Sequence, residues 1–390
     1  IMTDNNENKV LNVPHLRFPE FSGEWEIYPL TDFMSFKNGM NPDAKRFGRG
    51  TKFISVMDIL NNQFICYDNI RASVEVVDGD IETYGVNYGD ILFQRSSETL
   101  EDVGQANVYL DSKPAVFGGF VIRGKSKSNY YPMFFRYLLA SPTARKKIIV
   151  KGAGAQHFNI GQDGLSKVCL NIPSIQEQEK IAKLFECIDT RIATQNKIIE
   201  DLKKLKSAIS LKMLHSDSWE QFKIQDIASI GRGRVISSVE ISQQENPLYP
   251  VYSSQTSNDG IMGYLDDFMF EGEYISWTTD GANAGTVFYR NGKFNCTNVC
   301  GLLKLKKGFD AHFVSLVLAE ATRMYVSTNL ANPKLMNNTM GNIQIRLPKL
   351  EEQKRISVVF RKLHGLLETH NSLIIKYSKQ KQYLLSQMFI

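Results

Sequence analysis

Residues 172–181 read IPSIQEQEKI and residues 347–356 read LPKLEEQKRI. Each places an apolar residue and a proline ahead of a turn rich in glutamine and glutamate. Proline suits the start of a helix, where the amide it lacks would be unpaired anyway. At a constant offset of 175 positions the likeness runs on: Ile181 falls on Ile356, Phe185 on Phe360, Ile188 on Leu363, Ile192 on Leu367, Ile199 on Ile374, Ile209 on Leu384 and Met213 on Met388. Positions 181, 185, 188, 192, 195, 199 and 202 alternate steps of four and three, as do 356, 360, 363, 367, 370, 374 and 377. That alternation is the seam of a coiled coil. An internal repeat of this length organises the reading of the rest.

The first copy carries a capping-box spacing, with Ser174 as cap and Glu177 three residues on. The second has Lys349 in the serine's place, so Pro348 and the acidic pair Glu351 and Glu352 are expected to define its start. Two helices of about 40 residues, roughly 60 Å long, follow. If their stripes pack on each other they run antiparallel, with Gln195 and His370 as polar seam positions able to fix register. The alternative is that each helix packs only on its own domain.

Around the helices the sequence changes character. From Trp25 to Asn171 and from Trp219 to Arg346 it is rich in Gly, Asn, Ser and aromatics, with strand-like runs GDILFQ, GGFVIR, GEYISW, GTVFYR and CGLLKLKK. The expected organisation is an N-terminal arm 1–24, a first head 25–172, a first helix 173–215, a second head 216–347 and a second helix 348–390. The fold class is α+β: two mixed heads joined by a long antiparallel two-helix coiled coil, with pseudo-twofold character.

The chain has 390 residues, 43% of them hydrophobic, enough to bury two ordinary cores. Its formal charge of +5 permits nucleic-acid binding without demanding it. No apolar run approaches the roughly 20 residues of a bilayer span, and the opening IMTDNNENKV lacks a secretion signal. The expectation is a cytoplasmic protein with no membrane partner, translated from Met2. Five cysteines, odd and sparse, suggest core thiols in a reducing compartment.

Catalytic signatures fail one by one. KKIIVKGAGAQHF offers a strand before Gly152 and Gly154, but His157 stands where a dinucleotide loop needs its third glycine. TTDGANAGTVFYRNGKF reads as a turn between strands. Cys296 and Cys300 have no second pair to complete a zinc site and are expected at alternating strand positions in a core. ANPK at 331–334 differs from the base-flipping loop of amino-methyltransferases, because Lys334 replaces the second proline and no aromatic follows. No P-loop, helical zinc motif or nucleophile elbow is present.

The opening VPHLRFPEFSGEWE, the twin starts IPSIQEQEKIAKLF and LPKLEEQKRISVVF, and the endings LKSAISLKML and KQYLLSQMF resemble the specificity subunit of type I restriction-modification systems. The resemblance spans essentially the whole chain. It implies a non-catalytic DNA-binding subunit whose two heads are target recognition domains reading halves of a bipartite duplex site. It also implies two modification subunits as partners, which carry S-adenosylmethionine and the adenine methyltransferase chemistry. Restriction and motor subunits that use ATP and Mg would join them.

Base edges are read by Arg, Lys, Asn and Gln, with hydroxyls and backbone groups positioning phosphates. In the first head the candidate loops supply Lys37, Asn38, Arg46, Arg49 and Lys52, then Arg95, Ser96 and Ser97, then Lys151, Gln156, His157 and Asn159. In the second they supply Arg232 and Arg234, then Ser253, Ser254, Gln255 and Thr256, then Thr278 and Thr279, then Asn332, Lys334 and Asn337. These assignments come from residue type and loop position, since recognition loops diverge within such a family. Partner and seam contacts are expected from Ile181, Phe185, Ile188, Ile192, Ile199, Ile356, Phe360, Leu363, Leu367 and Ile374. A protein scaffold or a single-strand binder are the rival classes, the first without duplex affinity and the second with stacking aromatics.

Overall fold

The computed structural model of the chain describes residues 12–154, 156–327 and 332–390. Of the expected arm 1–24, residues 1–11, and Met2 with them, lie outside the described residues, as do Ala155 and 328–331. Two compact units divide the chain, one reaching to Asn196 and resuming at Ser372, the other spanning Lys197–Asn371. The division falls inside both long helices, Ile175–Met213 and Leu350–Gln387. Each unit therefore owns a head, the first turns of the helix that follows it and the last turns of the other helix. Among the described residues no helix is long and apolar enough to cross a membrane.

The first unit contains β1 (Glu26–Pro29), β2 (Met34–Asn38), β3 (Phe47–Ile54), β4 (Ala72–Val74), β5 (Ile91–Gln94), β6 (Ser96–Ser97), β7 (Ala106–Val108), β8 (Val116–Phe117), β9 (Val121–Ser126), β10 (Phe158–Asn159) and β11 (Cys169–Ile172). An antiparallel sheet runs in the order β2-β9-β5-β7. A second sheet, β4-β3-β8, holds β3 and β8 parallel, and β1 pairs with β11 just ahead of the long helix.

The second unit contains β12 (Glu220–Lys223), β13 (Ala228–Arg232), β14 (Tyr249–Tyr252), β15 (Ile261–Leu265), β16 (Phe270–Glu271), β17 (Tyr274–Thr278), β18 (Val287–Arg290), β19 (Lys293–Cys296), β20 (Cys300–Leu305) and β21 (Gln344–Leu347). Its antiparallel sheet is ordered β13-β20-β17-β18, its second sheet again has one parallel pair, β14 with β19, and β12 pairs with β21. Registers match as well as order. Phe36 and Ile91 both face Gly124, while Ile230 and Ile275 both face Leu303. Ile54 faces Phe117 as Tyr252 faces Cys296. The repeat thus includes the heads.

All five strand-like runs, from GDILFQ to CGLLKLKK, hold strands. The segment Lys146–Ile149, strand-like in sequence, instead closes the helix Pro142–Ile149, started by Ser141 accepting from Ala144 N and by Pro142. Cys296 and Cys300 are buried in a core, but they end β19 and begin β20 rather than alternating along one strand. The expectation of five core thiols is corrected too: Cys169 and Cys187 are exposed and Cys66 is half-buried.

Each core closes over both helices. In the first unit Trp25, Phe134, Phe135 and Leu170 pack with Ile181, Phe185 and Ile188 of the first helix and with Leu384, Met388 and Phe389 of the second. Rings of Phe185 and Phe389 lie 5.8 Å apart, Lys381 Nζ donates to Asp189 Oδ1, and Arg191 lies over Tyr377. Numbers rise on one helix as they fall on the other, so the pairing is antiparallel. In the second unit Ile209, Met213 and Leu214 meet Ile356 and Phe360 around Trp277 and Phe313. Each buried aromatic is worth about 2–3 kcal/mol of transfer free energy. Along the stripe Ile181, Phe185, Ile188, Ile199, Ile356, Phe360 and Leu363 are buried, whereas Ile192, Leu367 and Ile374 are half-buried. Outer turns have a head as a further layer, so the stripe serves both as seam and as the face packed on a domain.

The glutamine written in both copies has a defined task. Gln178 is buried, donates to Pro173 O (3.0 Å) and accepts from Tyr131 N (3.0 Å). Gln353 donates to Pro348 O (2.8 Å) and accepts from Asp310 N (2.9 Å). Each fastens its helix start to the helix that follows the sheet, Pro132–Ala140 in one head and Ala311–Ala321 in the other. The capping box is half realised. Ser174 Oγ accepts from Glu177 N at 3.3 Å, while the Glu177 carboxylate turns to Arg17 and the Trp25 indole.

Candidate nucleic-acid interface

In both heads most of the candidate loops gather at one end of the antiparallel sheet. β2 ends at Asn38 opposite Ile122, and β5 ends at Gln94 opposite Val121, so Asn38 and Arg95 leave the sheet on the same side. In the second head β13 ends at Arg232 opposite Gly301, and β17 at Thr278 opposite Cys300. The turn after β2 must pass close to the neighbouring sheet. A side chain at Gly39 would collide with Gly118 O, and one at Gly233 with Cys296 O.

The first head joins two loops distant in sequence. β10 pairs with β6, setting Asn159 against Ser96 and Phe158 against Ser97, and Ser96 Oγ donates to Asn159 Oδ1. Lys151, Gln156, His157 and Asn159 are exposed on this cluster, with Arg95, Ser96 and Ser97 half-buried beneath. Asn38 faces the side-chain amide of Gln162. Arg46, Arg49 and Lys52 lie apart, on the second sheet and its approach, and are already engaged. Arg46 pairs with Asp80, Arg49 with Glu75 (2.9 Å), and Lys52 Nζ donates to Ile70 O. The Val77 amide and then Arg46 hold the Asp80 carboxyl below its ordinary range. Lys37 and Lys151 are exposed and in no ion pair among the described residues.

The second head repeats the junction with other side chains. Asp280 bridges Lys334 where Ser96 meets Asn159, and Leu335 N donates to Thr279 O as Ile160 N donates to Arg95 O. Arg232 Nε donates to Asn337 Oδ1 (2.9 Å), at the positions of Asn38 and Gln162. Asn332 is exposed and Lys334 pairs with Asp280 at 3.5 Å. Arg234 pairs with Glu240, whose carboxyl is held low by that guanidinium. Two expectations shift: Thr278 and Thr279 are buried, and Thr279 Oγ1 donates within the fold, so neither side chain lies on the surface.

One residue that loop position alone does not reveal is Arg290. It is buried, its guanidinium lies 3.6 Å from the Tyr252 ring centroid, and it donates to Ser276 Oγ (3.0 Å) and Asp259 Oδ2 (2.9 Å). Asp259 belongs to a turn in which Asn258, Asp259 and Gly260 all have positive φ, a conformation those residue types tolerate best. Arg290 therefore shapes the loop presenting Ser253, Ser254, Gln255 and Thr256, with Ser253 N donating to Gly260 O. Its sequence signal is faint: an arginine closing an aromatic strand, GTVFYR.

A sheet-and-helix head written twice, each copy followed by a long helix and each gathering polar loops at one sheet end, defines a two-headed recognition protein. The model of the type I restriction modification DNA specificity domain matches residues 22–204 and 216–376. The chain belongs to that family, the specificity subunits of type I restriction-modification systems, which recognise DNA sequence and are not themselves catalytic. A Mycoplasma pneumoniae protein named as a type I specificity subunit is 35% identical over 233 residues, 58% of this chain and 97% of its own. The MpnII specificity subunit of the same organism is 41% identical over 177 residues, 44% of this chain and 53% of that one. The fold is similar to that of the type I S subunit from M. genitalium, with TM-score 0.66 and 15% identity, covering 97% of this chain and 99% of that one.

Proposed function

We propose that each head reads one half of a bipartite duplex target, residues 25–172 one half and residues 216–347 the other, with unread base pairs between. The observation that carries this reading is one sheet frame used twice with different polar side chains at the same sheet end. Asn38, Arg95, Ser96, Ser97, Lys151, Gln156, His157 and Asn159 form the first reading surface, with Lys37, Arg46, Arg49 and Lys52 placed for phosphates. Arg232, Arg234, Asn332, Lys334 and Asn337, with the loop Ser253–Thr256, form the second. Residues tied to carboxylates exchange those partners for phosphate or base edges on binding. The helices 173–215 and 348–390 set the interval and present matched docking faces to two modification subunits, which supply S-adenosylmethionine and methylate adenine. Restriction subunits bring ATP and Mg.

The interval is the testable part. Four residues inserted after Ile192 and four after Leu367 add one helical turn, about 6 Å, nearly two base pairs at about 3.4 Å each. Methylation-motif mapping with reconstituted modification subunits should show both half-sites unchanged and the gap one or two base pairs longer. An active variant with an unchanged gap contradicts the proposal.

A further inference from the structure

The second head carries an open groove of about 720 Å³, lined among others by Trp219, Phe222, Phe309, Pro348, Glu352 and Arg355. The matching place in the first head is filled. There Trp25 stands for Trp219, Pro173 for Pro348, Glu177 for Glu352 and Lys180 for Arg355. The arm lies across them: Arg17 donates through Nε and Nη2 to the two carboxylate oxygens of Glu177, at 2.8 Å each. Phe18 sits beneath Lys180, whose ammonium is 4.8 Å from the ring centroid, and Glu20 pairs with that ammonium. Leu16 N donates to Gln387 O at the end of the second helix.

No counterpart of Arg17 and Phe18 is available in the second head, because only residues 215–218 link Leu214 to Trp219. Arg346 takes over the task of Asn12, donating to Trp219 O as Asn12 donates to Trp25 O. The stretch over Glu352 and Arg355 is left uncovered by the described residues. Glu177 is 1% exposed, whereas Glu352 is half-buried and, like Glu351 and Arg355, in no ion pair among the described residues. Carboxylate, apolar floor and cationic rim are thus all present without the segment that occupies them in the sister head.

We propose that this groove docks an extended segment of another protein that carries an arginine followed by an aromatic residue. Glu352 would accept the guanidinium in the two-pronged geometry seen at Glu177, which a lysine cannot reproduce. The aromatic would enter between Trp219 and the Arg355 side chain, where a guanidinium can stack on its face. The chain's own arm is committed to Glu177, which leaves a partner protein as the occupant. This inference holds whether or not the heads read DNA as proposed.

The test uses the full chain and a labelled synthetic peptide of residues 12–24, read by fluorescence anisotropy without DNA or other subunits. Saturable binding is expected, weakened about tenfold or more by Glu352→Gln. The same loss is expected when Arg17 of the peptide is replaced by Gln. Glu352→Gln should melt as the unaltered protein does, since that carboxylate holds no ion pair among the described residues. Absence of saturable binding, or binding indifferent to both changes, overturns the proposal. So does a concentration-dependent dimer of the unaltered chain that Glu352→Gln abolishes in sedimentation, because the occupant would then be a second copy.

Discussion

The two heads are one frame with two surfaces. Their antiparallel sheets agree in strand order and register, their second sheets share the single parallel pair although the second head adds β16 beside β19, and both need a glycine, Gly39 or Gly233, where the turn after the edge strand brushes the other sheet. Both fasten the following helix with a buried glutamine. At the sheet end they part: Asn38 facing Gln162 becomes Arg232 bonded to Asn337, and Ser96 with Asn159 becomes Asp280 with Lys334. What packing and backbone geometry demand is repeated, and what meets the target is not. One matched interior pair changes from apolar to polar. Met133 and Ala182, both buried in the first head, correspond to His312 and Ser357 in the second, where His312 Nδ1 and Ser357 Oγ are 2.8 Å apart.

If the frame is shared, damage to it should be equivalent in the two heads and confined to the head that is struck. The largest effect is expected from Gly39→Val and Gly233→Val, each costing about 4 kcal/mol or more because backbone rather than a movable side chain meets the new atoms. Peptide-resolved hydrogen exchange should show the altered head unfolded and the other protected. Loss of both heads from either change would break the comparison. Gln178→Leu and Gln353→Leu should each cost about 2–4 kcal/mol, since a buried amide and a proline carbonyl lose their partners. Chemical denaturation should give similar values for the pair; a harmless substitution in one head alone would deny the clamp its shared role.

Acid should separate the heads by a smaller amount. Burial, and then the charge of Arg361, depress the His312 imidazole from its ordinary 6.5 to about 4. The unfolded chain takes up the proton below pH 6.5 and the folded one only near 4. The second head is therefore at full stability above 6.5 and loses about 1–3 kcal/mol as pH falls toward 4, a range discounted for the partial exposure of His312. The double change His312→Met with Ser357→Ala, which installs the pair of the first head, should flatten that decline in a pH series of thermal melts. An unaltered slope would assign the loss to other groups.

Much of this frame is legible in the sequence, for definite reasons. The long helices announce themselves because apolar residues stepping by four and three along 20 positions suit a helical seam and little else. The 175-residue offset that pairs Ile181 with Ile356 also pairs Leu165 with Met340 and Ile172 with Leu347. Strand runs such as CGLLKLKK are visible through their apolar alternation. The shared topology of the heads is harder to see, because loops of unequal length break the offset: β2 matches β13 at 194 positions but β9 matches β20 at 179. Burial of Thr278 and Thr279 is hidden in the sequence, since hydroxyls at a strand end look the same whether they face solvent or a carbonyl. Arg290 is hidden because its role depends on Tyr252 and Asp259, distant in sequence. Lys146–Ile149 reads as a strand because its β-branched run masks a serine cap and a proline five and four residues upstream.

The claim that each head reads its own half-site is tested most directly by exchanging the two matched sheet-end residues one at a time. Asn38→Ala and Arg232→Ala occupy the same position in the two frames, opposite Ile122 and Gly301. Each variant would be reconstituted with modification subunits and its methylated adenines mapped across a genome. The account predicts that Asn38→Ala relaxes sequence preference in one half-site only, that Arg232→Ala relaxes it only in the other, and that the gap is unchanged in both. Equal loss of preference at both half-sites from either single change would contradict it and point to one composite reading surface.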